Sequence, residues 1–127
     1  MNGKMQFDEL SRQVIGCALE VHRELGPGLL ESAYERCLAH ELTLKGIRFE
    51  LEKAMPVEYK GAQIDCGYRL DLLVDGKIIL EIKAVAAIEP IHEAQILTYM
   101  KLAKVRTGLL INFNVPLLRH GIQRFML

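Results

Sequence analysis

No apolar run in this chain approaches the roughly 20 residues that a membrane-spanning helix needs. The N-terminus is polar, so neither a transmembrane segment nor a signal peptide is expected. Cysteine is scarce: Cys17, Cys37 and Cys66 are odd in number and far apart. They suit neither a disulfide framework nor a zinc site. That usage points to a reducing, cytoplasmic setting, with the thiols acting as small buried hydrophobes. Net charge is missing too, since 16 Lys and Arg balance 16 Asp and Glu. Avid, non-specific binding to nucleic acid runs on phosphate neutralisation, so neutrality weighs against it. No repeat, linker or low-complexity stretch divides the chain. At 127 residues, half of them hydrophobic, residues 1–127 read as one globular domain with a core that needs no staples.

Acids are also absent from one region. None follows Glu93, while Lys101, Lys104, Arg106, Arg119 and Arg124 do. A solvated surface and a basic flank beside an acidic site both fit this asymmetry.

Apolar spacing supplies the elements. Phe7, Leu10, Val14, Cys17, Ala18, Val21 and Leu25 predict a first helix over 7–25, broken by Gly26-Pro27-Gly28. A second helix is expected from about Leu29 to Lys45, ended by Gly46. Extended segments follow at 48–52 and 56–59. Pro90 suits a helix start, and 91–104 reads as the third helix. Residues 107–113 form an apolar run expected to be a buried strand, and 121–126 suggest a last one. A helix crossing between strands implies a mixed sheet with helices packed on it.

The densest information lies between Tyr68 and Lys83. Asp75-Gly76 between two apolar runs is a strong hairpin signal. A two-residue loop would pair Asp71 with Leu80 and mix charges with core residues on each face. A three-residue loop, Asp75-Gly76-Lys77, pairs Val74 with Ile78. Leu70, Leu72, Val74, Ile78, Leu80 and Ile82 then share one apolar face. Burial favours the register that segregates the charges. We therefore expect a type I turn with Gly76 left-handed in a bulge, and Asp71 directly opposite Glu81. Two carboxylates so placed repel unless something positive sits between them. A hard divalent cation is the natural candidate. Lys83 points to the same side as Glu81.

Other residues converge on that hairpin. His92, Gln95 and Tyr99 lie on one stripe of the third helix. Glu31 and Tyr34 stand one turn apart at the start of the second, where Glu31 can answer the helix dipole or serve as another metal-side carboxylate. His22 reads as structural or exposed.

Gly28-Leu-Leu-Glu31-Ser-Ala-Tyr34 matches the signature of the GxxExxY protein family. Tyr68-Arg-Leu-Asp71, Glu81-Ile-Lys83-Ala-Val, Gln95-Ile-Leu-Thr-Tyr99 and Gly108-Leu-Leu-Ile-Asn-Phe113 resemble its other blocks, in order, from about Val14 to Arg124. That family is grouped with the PD-(D/E)XK nuclease superfamily, whose core pattern Asp71…Glu81-x-Lys83 resembles. Gln95-x-x-x-Tyr99 is similar to the motif of its RecB-like exonuclease branch. The resemblance implies an α/β (α+β), restriction-endonuclease-like core, a central mixed β-sheet flanked by helices. It implies a metal-dependent nuclease acting on nucleic acid, with DNA the expected substrate. Asp71, Glu81, Lys83 and Glu31 are then the catalytic residues. One Mg²⁺ or Mn²⁺ would be held by Asp71, Glu81 and the Ile82 carbonyl, with Glu31 directly or through water. Gln95, Tyr99, Tyr34 and His92 would position Lys83 or substrate.

Two competing readings stand beside this one. A non-catalytic nucleic-acid- or protein-binding module can use the same fold. Cross-strand ion pairs among Arg69, Asp71, Glu81 and Lys83 are the plainest alternative. Leu117, Leu118, Phe125 and Leu127 hint at a homodimer or partner surface.

Overall fold

The computed structural model describes residues 8–127. Phe7, the expected first residue of the first helix, lies outside them. Helix α1 spans Glu9–Leu25, with the Asp8 carboxylate accepting the Ser11 N–H at 2.7 Å as its N-cap. Its buried stripe is Val14, Cys17, Ala18 and Val21. Gly26, at φ 69, ends it. Helix α2 spans Glu31–Leu44 and buries Tyr34, Leu38, Ala39 and Leu42. Strand β1 (Phe49–Ala54) follows, then a ribbon of β2 (Val57–Tyr59) and β3 (Ala62–Ile64). The hairpin is β4 (Arg69–Val74) and β5 (Ile78–Lys83). Helix α3 (Pro90–Ala103) leads to β6 (Thr107–Asn112), a 3₁₀ turn at Leu118–Gly121, and β7 (Ile122–Met126).

Five strands form one mixed sheet in the order β1-β4-β5-β6-β7, with only the β5–β6 pair parallel. Helices α1 and α2 cover one face, against Leu72, Val74, Leu80, Ile82, Ile111 and Phe113. Helix α3 covers the other, where Ile96 and Met100 meet Leu73, Ile79 and Leu110. A Cβ on Gly108 would come within 2.7 Å of the Met100 sulfur and 3.1 Å of Ile96, so the glycine lets α3 lie directly on β6. Burial on both faces makes β5 and β6 the spine of the sheet.

The hairpin has the expected register: Val74 pairs with Ile78, Leu73 with Ile79 and Leu72 with Leu80. The turn differs in kind. Asp75 (φ 52) and Gly76 (φ 64) are both left-handed, and the Lys77 N–H bonds the Val74 carbonyl at 2.9 Å. Positive φ at both central residues belongs to the mirror-image turn, whose twist matches the strands better than type I does. Aspartate tolerates that conformation, and β1 holds it. The Arg48 guanidinium lies 2.6 Å from the Asp75 carboxylate, and the Arg48 carbonyl accepts the Asp75 N–H at 2.9 Å.

Three other expectations need correction. Leu70 does not share the face of Leu72; it packs on the α3 side with Tyr99 and Met55. β4 turns over at Asp71, where its pairing with β5 stops and Glu52 on β1 takes φ 51. Cys37 and Cys66 are exposed, and only Cys17 is buried. Leu118 is buried and Phe125 packs partly against the α3-side core, which leaves Leu117 and Leu127 as the exposed members of that group. His22 is structural, its Nε2 lying 2.8 Å from the Val115 carbonyl.

Candidate active site

Strands β4 and β5 begin as a ladder and end as a fork. Pairing runs only from the turn to Leu72 and Leu80. Beyond it β4 stays with β1, pairing Leu70 with Lys53 and Arg69 with Ala54. β5 stays with β6 as far as Lys83 beside Asn112. Parting strands free backbone donors that must find other partners. Carboxylates take them: the Ile82 N–H donates to Asp71 Oδ2 at 2.7 Å, and the Asp71 N–H to Glu81 Oε2 at 3.3 Å. One step further, the Ala84 N–H donates to Glu31 Oε2 at 3.2 Å, reaching across from the first residue of α2.

The segment after Lys83 is pinned from the other side. Asn112, itself buried, accepts the Val85 N–H and donates to the Val85 carbonyl, both at 3.1 Å. The Phe113 N–H donates to the Lys83 carbonyl at 2.8 Å. Lys83 therefore stands where α2, β5 and β6 meet.

The fork carries an excess of negative charge. Glu81 is 4% exposed, and burial, then the Asp71 charge, pushes its carboxyl up to about 8. Asp71 is raised as well, chiefly by burial, with Glu31 and Glu52 adding to the rise. The Ile82 N–H and the Lys83 ammonium pull it back down. Lys83 opposes the rise at both carboxyls, and among the described residues no salt bridge joins it to either.

Glu35 is the residue that sequence reasoning missed. It lies one turn beyond Glu31 on α2 and is 8% exposed. Its Oε2 is buried without a hydrogen-bond donor. The Glu52 carboxyl is within hydrogen-bonding reach, but two carboxylates bond only through a shared proton. Burial first, then the Asp71 and Glu52 charges, raises Glu35 to about 7. Its i+4 spacing from Glu31 was the available signal; a charge in a helix reads as solvated without knowledge of the facing strand.

The structure sorts the other candidates. Gln95 Nε2 donates to the Tyr99 hydroxyl at 3.1 Å. Tyr99 is largely buried, and burial and then the Glu81 charge raise its phenol, so this pair borders the fork. Tyr34 does not face the open site. It is fully buried, stacked on Phe113 at 4.5 Å, donating to the Gly26 carbonyl and accepting from the Leu29 N–H. Its hydroxyl is committed to the loop that launches α2. His92 caps α3, its Nδ1 accepting the Glu89 N–H at 3.0 Å.

The basic flank does not adjoin the acids. Lys104 and Arg106 share a pocket with Gly76, Lys77 and Ile78, at the turn end of β5. Because β6 runs parallel to β5, its basic approach starts beside Ile78, whereas Lys83 lies beside Asn112 at the far end.

Over residues 8–125 the chain matches the family model of the PD-(D/E)XK nuclease superfamily. The protein belongs to that superfamily, and its mixed sheet flanked by helices is the fold that membership implies. A nuclease-like function follows in general terms, and PD-(D/E)XK nucleases generally use divalent metal ions. No curated protein and no solved structure matches the chain significantly. No helix among the described residues is long and apolar enough to cross a membrane.

The residues of the fork can be tested against such an ion. Among the described residues no three acidic, His or Cys side chains are gathered as a ready-made cage. Glu31 is turned onto the Ala84 N–H instead of joining Asp71 and Glu81. Magnesium does not require a cage; it is commonly held by one or two carboxylates, with waters and substrate phosphate completing its shell. One half-buried and one buried carboxyl, both with raised pKa and neither in a salt bridge among the described residues, form a donor set that fits this mode.

Proposed function

We propose that the chain is a Mg²⁺- or Mn²⁺-dependent phosphodiesterase acting on nucleic acid, DNA foremost, within the GxxExxY branch of its superfamily. The observation that carries this reading is the fork itself, where half-buried Asp71 meets buried Glu81 and Lys83 follows on the same strand. Asp71, Glu81 and the Ile82 carbonyl would hold the cation. When bound, it supplies a Lewis acid for a phosphoryl oxygen and a more acidic water. The Lys83 ammonium offsets negative charge developing on the scissile phosphate. In this reading Lys83 serves as an electrostatic stabiliser and not as a free base. Glu31 ties α2 to the backbone just beyond Lys83 and stands ready as a further ligand. Gln95 and Tyr99 orient substrate or Lys83. Tyr34 and His92 act at one remove, fixing the starts of α2 and α3.

A second reading has an observation of its own. Asp71, Glu81 and Glu31 already bond backbone N–H groups, which supports a non-catalytic module that binds nucleic acid or protein. Exposed Leu117, Met126 and Leu127 support a homodimer or a protein partner at the β7 side.

Calorimetric titration with Mg²⁺ and Mn²⁺, beside a cleavage assay on linear and circular DNA, separates the two. We expect binding and cleavage in the parent chain and neither in Asp71→Asn. Metal binding without cleavage of any nucleic acid favours the module. Absence of binding in both proteins sinks the hydrolytic reading.

A further inference from the structure

A groove of about 410 Å³ runs between α3 and the start of β4, lined by Val57, Tyr68, Ile91, Gln95, Tyr99 and Leu102 among others. One lining residue is Tyr99, whose phenol is raised by burial and then by the Glu81 charge. Another is Tyr68, 45% exposed, with its ring centroid 6.0 Å from that of Tyr99 and tilted by 59°. Tyr99 thus belongs to the groove and to the electrostatic surroundings of Glu81 alike. Tyr68 is three residues from Asp71 along β4, a distance of about 10 Å by strand rise.

The lining is apolar and aromatic, with one amide, Gln95, among the residues that reach its rim. The size lies in the range of sites that enclose a single small ring system. Arg69, exposed beside Tyr68, offers charge to a backbone phosphate. We propose that this groove receives one unpaired nucleobase, stacked on Tyr68, next to the phosphodiester presented to Asp71 and Glu81. The inference rests on the nucleic-acid reading of the fork and narrows its substrate to single strands, overhangs or frayed ends. A paired base must first be pulled from its stack to enter, whereas an unpaired base enters freely. Stacking on an aromatic side chain is tolerant of sequence, so the groove selects for strandedness and not for a motif.

The test uses the full chain in excess chelator, so that nothing is cut. A single-stranded oligonucleotide carrying 2-aminopurine is titrated as DNA and as RNA, with a blunt DNA duplex of the same sequence alongside. We expect quenching on single strands and weaker binding of the duplex. Tyr68→Ala should lose the quench and bind single strands about tenfold more weakly, while Tyr68→Trp retains both. Tyr68 is exposed enough that circular dichroism should show both variants folded. Unchanged quenching and affinity in Tyr68→Ala, duplex binding as tight as single-strand binding, or no binding at all overturns the proposal. A cleavage assay with Mn²⁺ run in parallel keeps the two readings apart. Tyr68-dependent quenching without cleavage supports the groove and counts against hydrolysis. Cleavage untouched by Tyr68→Ala overturns the groove alone.

Discussion

The two ends of the β4–β5 hairpin hold aspartates in opposite circumstances. At the turn, half-buried Asp75 is clasped by Arg48, with Lys77 nearby, and the Arg48 hydrogen bond holds its carboxyl below the usual range. At the fork, Asp71 is largely shut away from water among Glu31, Glu35, Glu52 and Glu81, and its carboxyl is raised. Asp75 meets a guanidinium, whereas Asp71 accepts the Ile82 N–H and has no salt bridge among the described residues. Stability and the proposed activity thus pull in opposite directions along about 13 Å of strand.

The sharpest break in that comparison is Lys83→Ala. Turnover should fall on the order of 10²–10³-fold, the usual cost of one well-placed electrostatic stabiliser. Thermal stabilisation by Mn²⁺ should survive, because Lys83 is not a ligand. Cleavage at the parental rate would remove Lys83 from the mechanism.

Next in size is Glu81→Gln. Without metal it should be more stable than the parent at pH 8 by about 1–3 kcal/mol, since a buried charge beside Asp71 is gone. With metal the order should reverse. A hundredfold excess of Mg²⁺ over its Kd adds about 2.7 kcal/mol to the parent and little to the variant. Denaturant melts with and without Mg²⁺ read both halves. A destabilised metal-free variant would show that the Glu81 bond to the Asp71 N–H outweighs the repulsion.

Glu35 gives a subtler effect with a defined pH window. Its folded carboxyl, raised from 4.5 to about 7, favours the protonated form. The stability it contributes is complete below pH 4.5 and is lost as pH rises through about 7. Glu35→Gln should therefore melt above the parent at pH 8, by about 1–2 kcal/mol after allowance for solvent screening, and match it near pH 5. Parallel melting curves at both pH values would mean that Glu35 is solvated.

The smallest effect belongs to the turn. Asp75→Asn should barely move the melting temperature, because an exposed pair with Arg48 is worth little and salt screens it. A large loss there would put the hairpin's stability in its turn and erase the contrast between the two ends.

How much of this was legible beforehand follows from what each feature depends on. The hairpin register could be read because a one-residue slip would bury Asp71 and Glu81 within the core face. Helices α1 and α2 announced themselves by apolar spacing. Leu70 could not be placed, since its change of face comes from the twist where β4 leaves β5, a property of three strands together. Of the β2–β3 ribbon only the first strand could be read, at 56–59; every residue of β3 is exposed, which leaves no alternation to detect. At the site, Asp71, Glu81 and Lys83 stood out as charges in apolar strands. Tyr34 and His92 carry side chains equally suited to touching a substrate or tying a loop, and only their partners distinguish the two. The choice between a solvated surface and a basic flank stayed open in the sequence, because for Lys104 and Arg106 it turns on which end of β5 the start of β6 lies beside.

The double grip of Asn112 on Val85 has a consequence for how this architecture can vary. With Ala84 fastened to α2 through Glu31 and Val85 fastened to β6, the chain is anchored on the near side of the 86–89 connection. Changes of length between Val85 and Pro90 are mechanically insulated from Lys83. That short link is the place where the fold can accept insertions, tags or new loops a few residues from the candidate site without disturbing it.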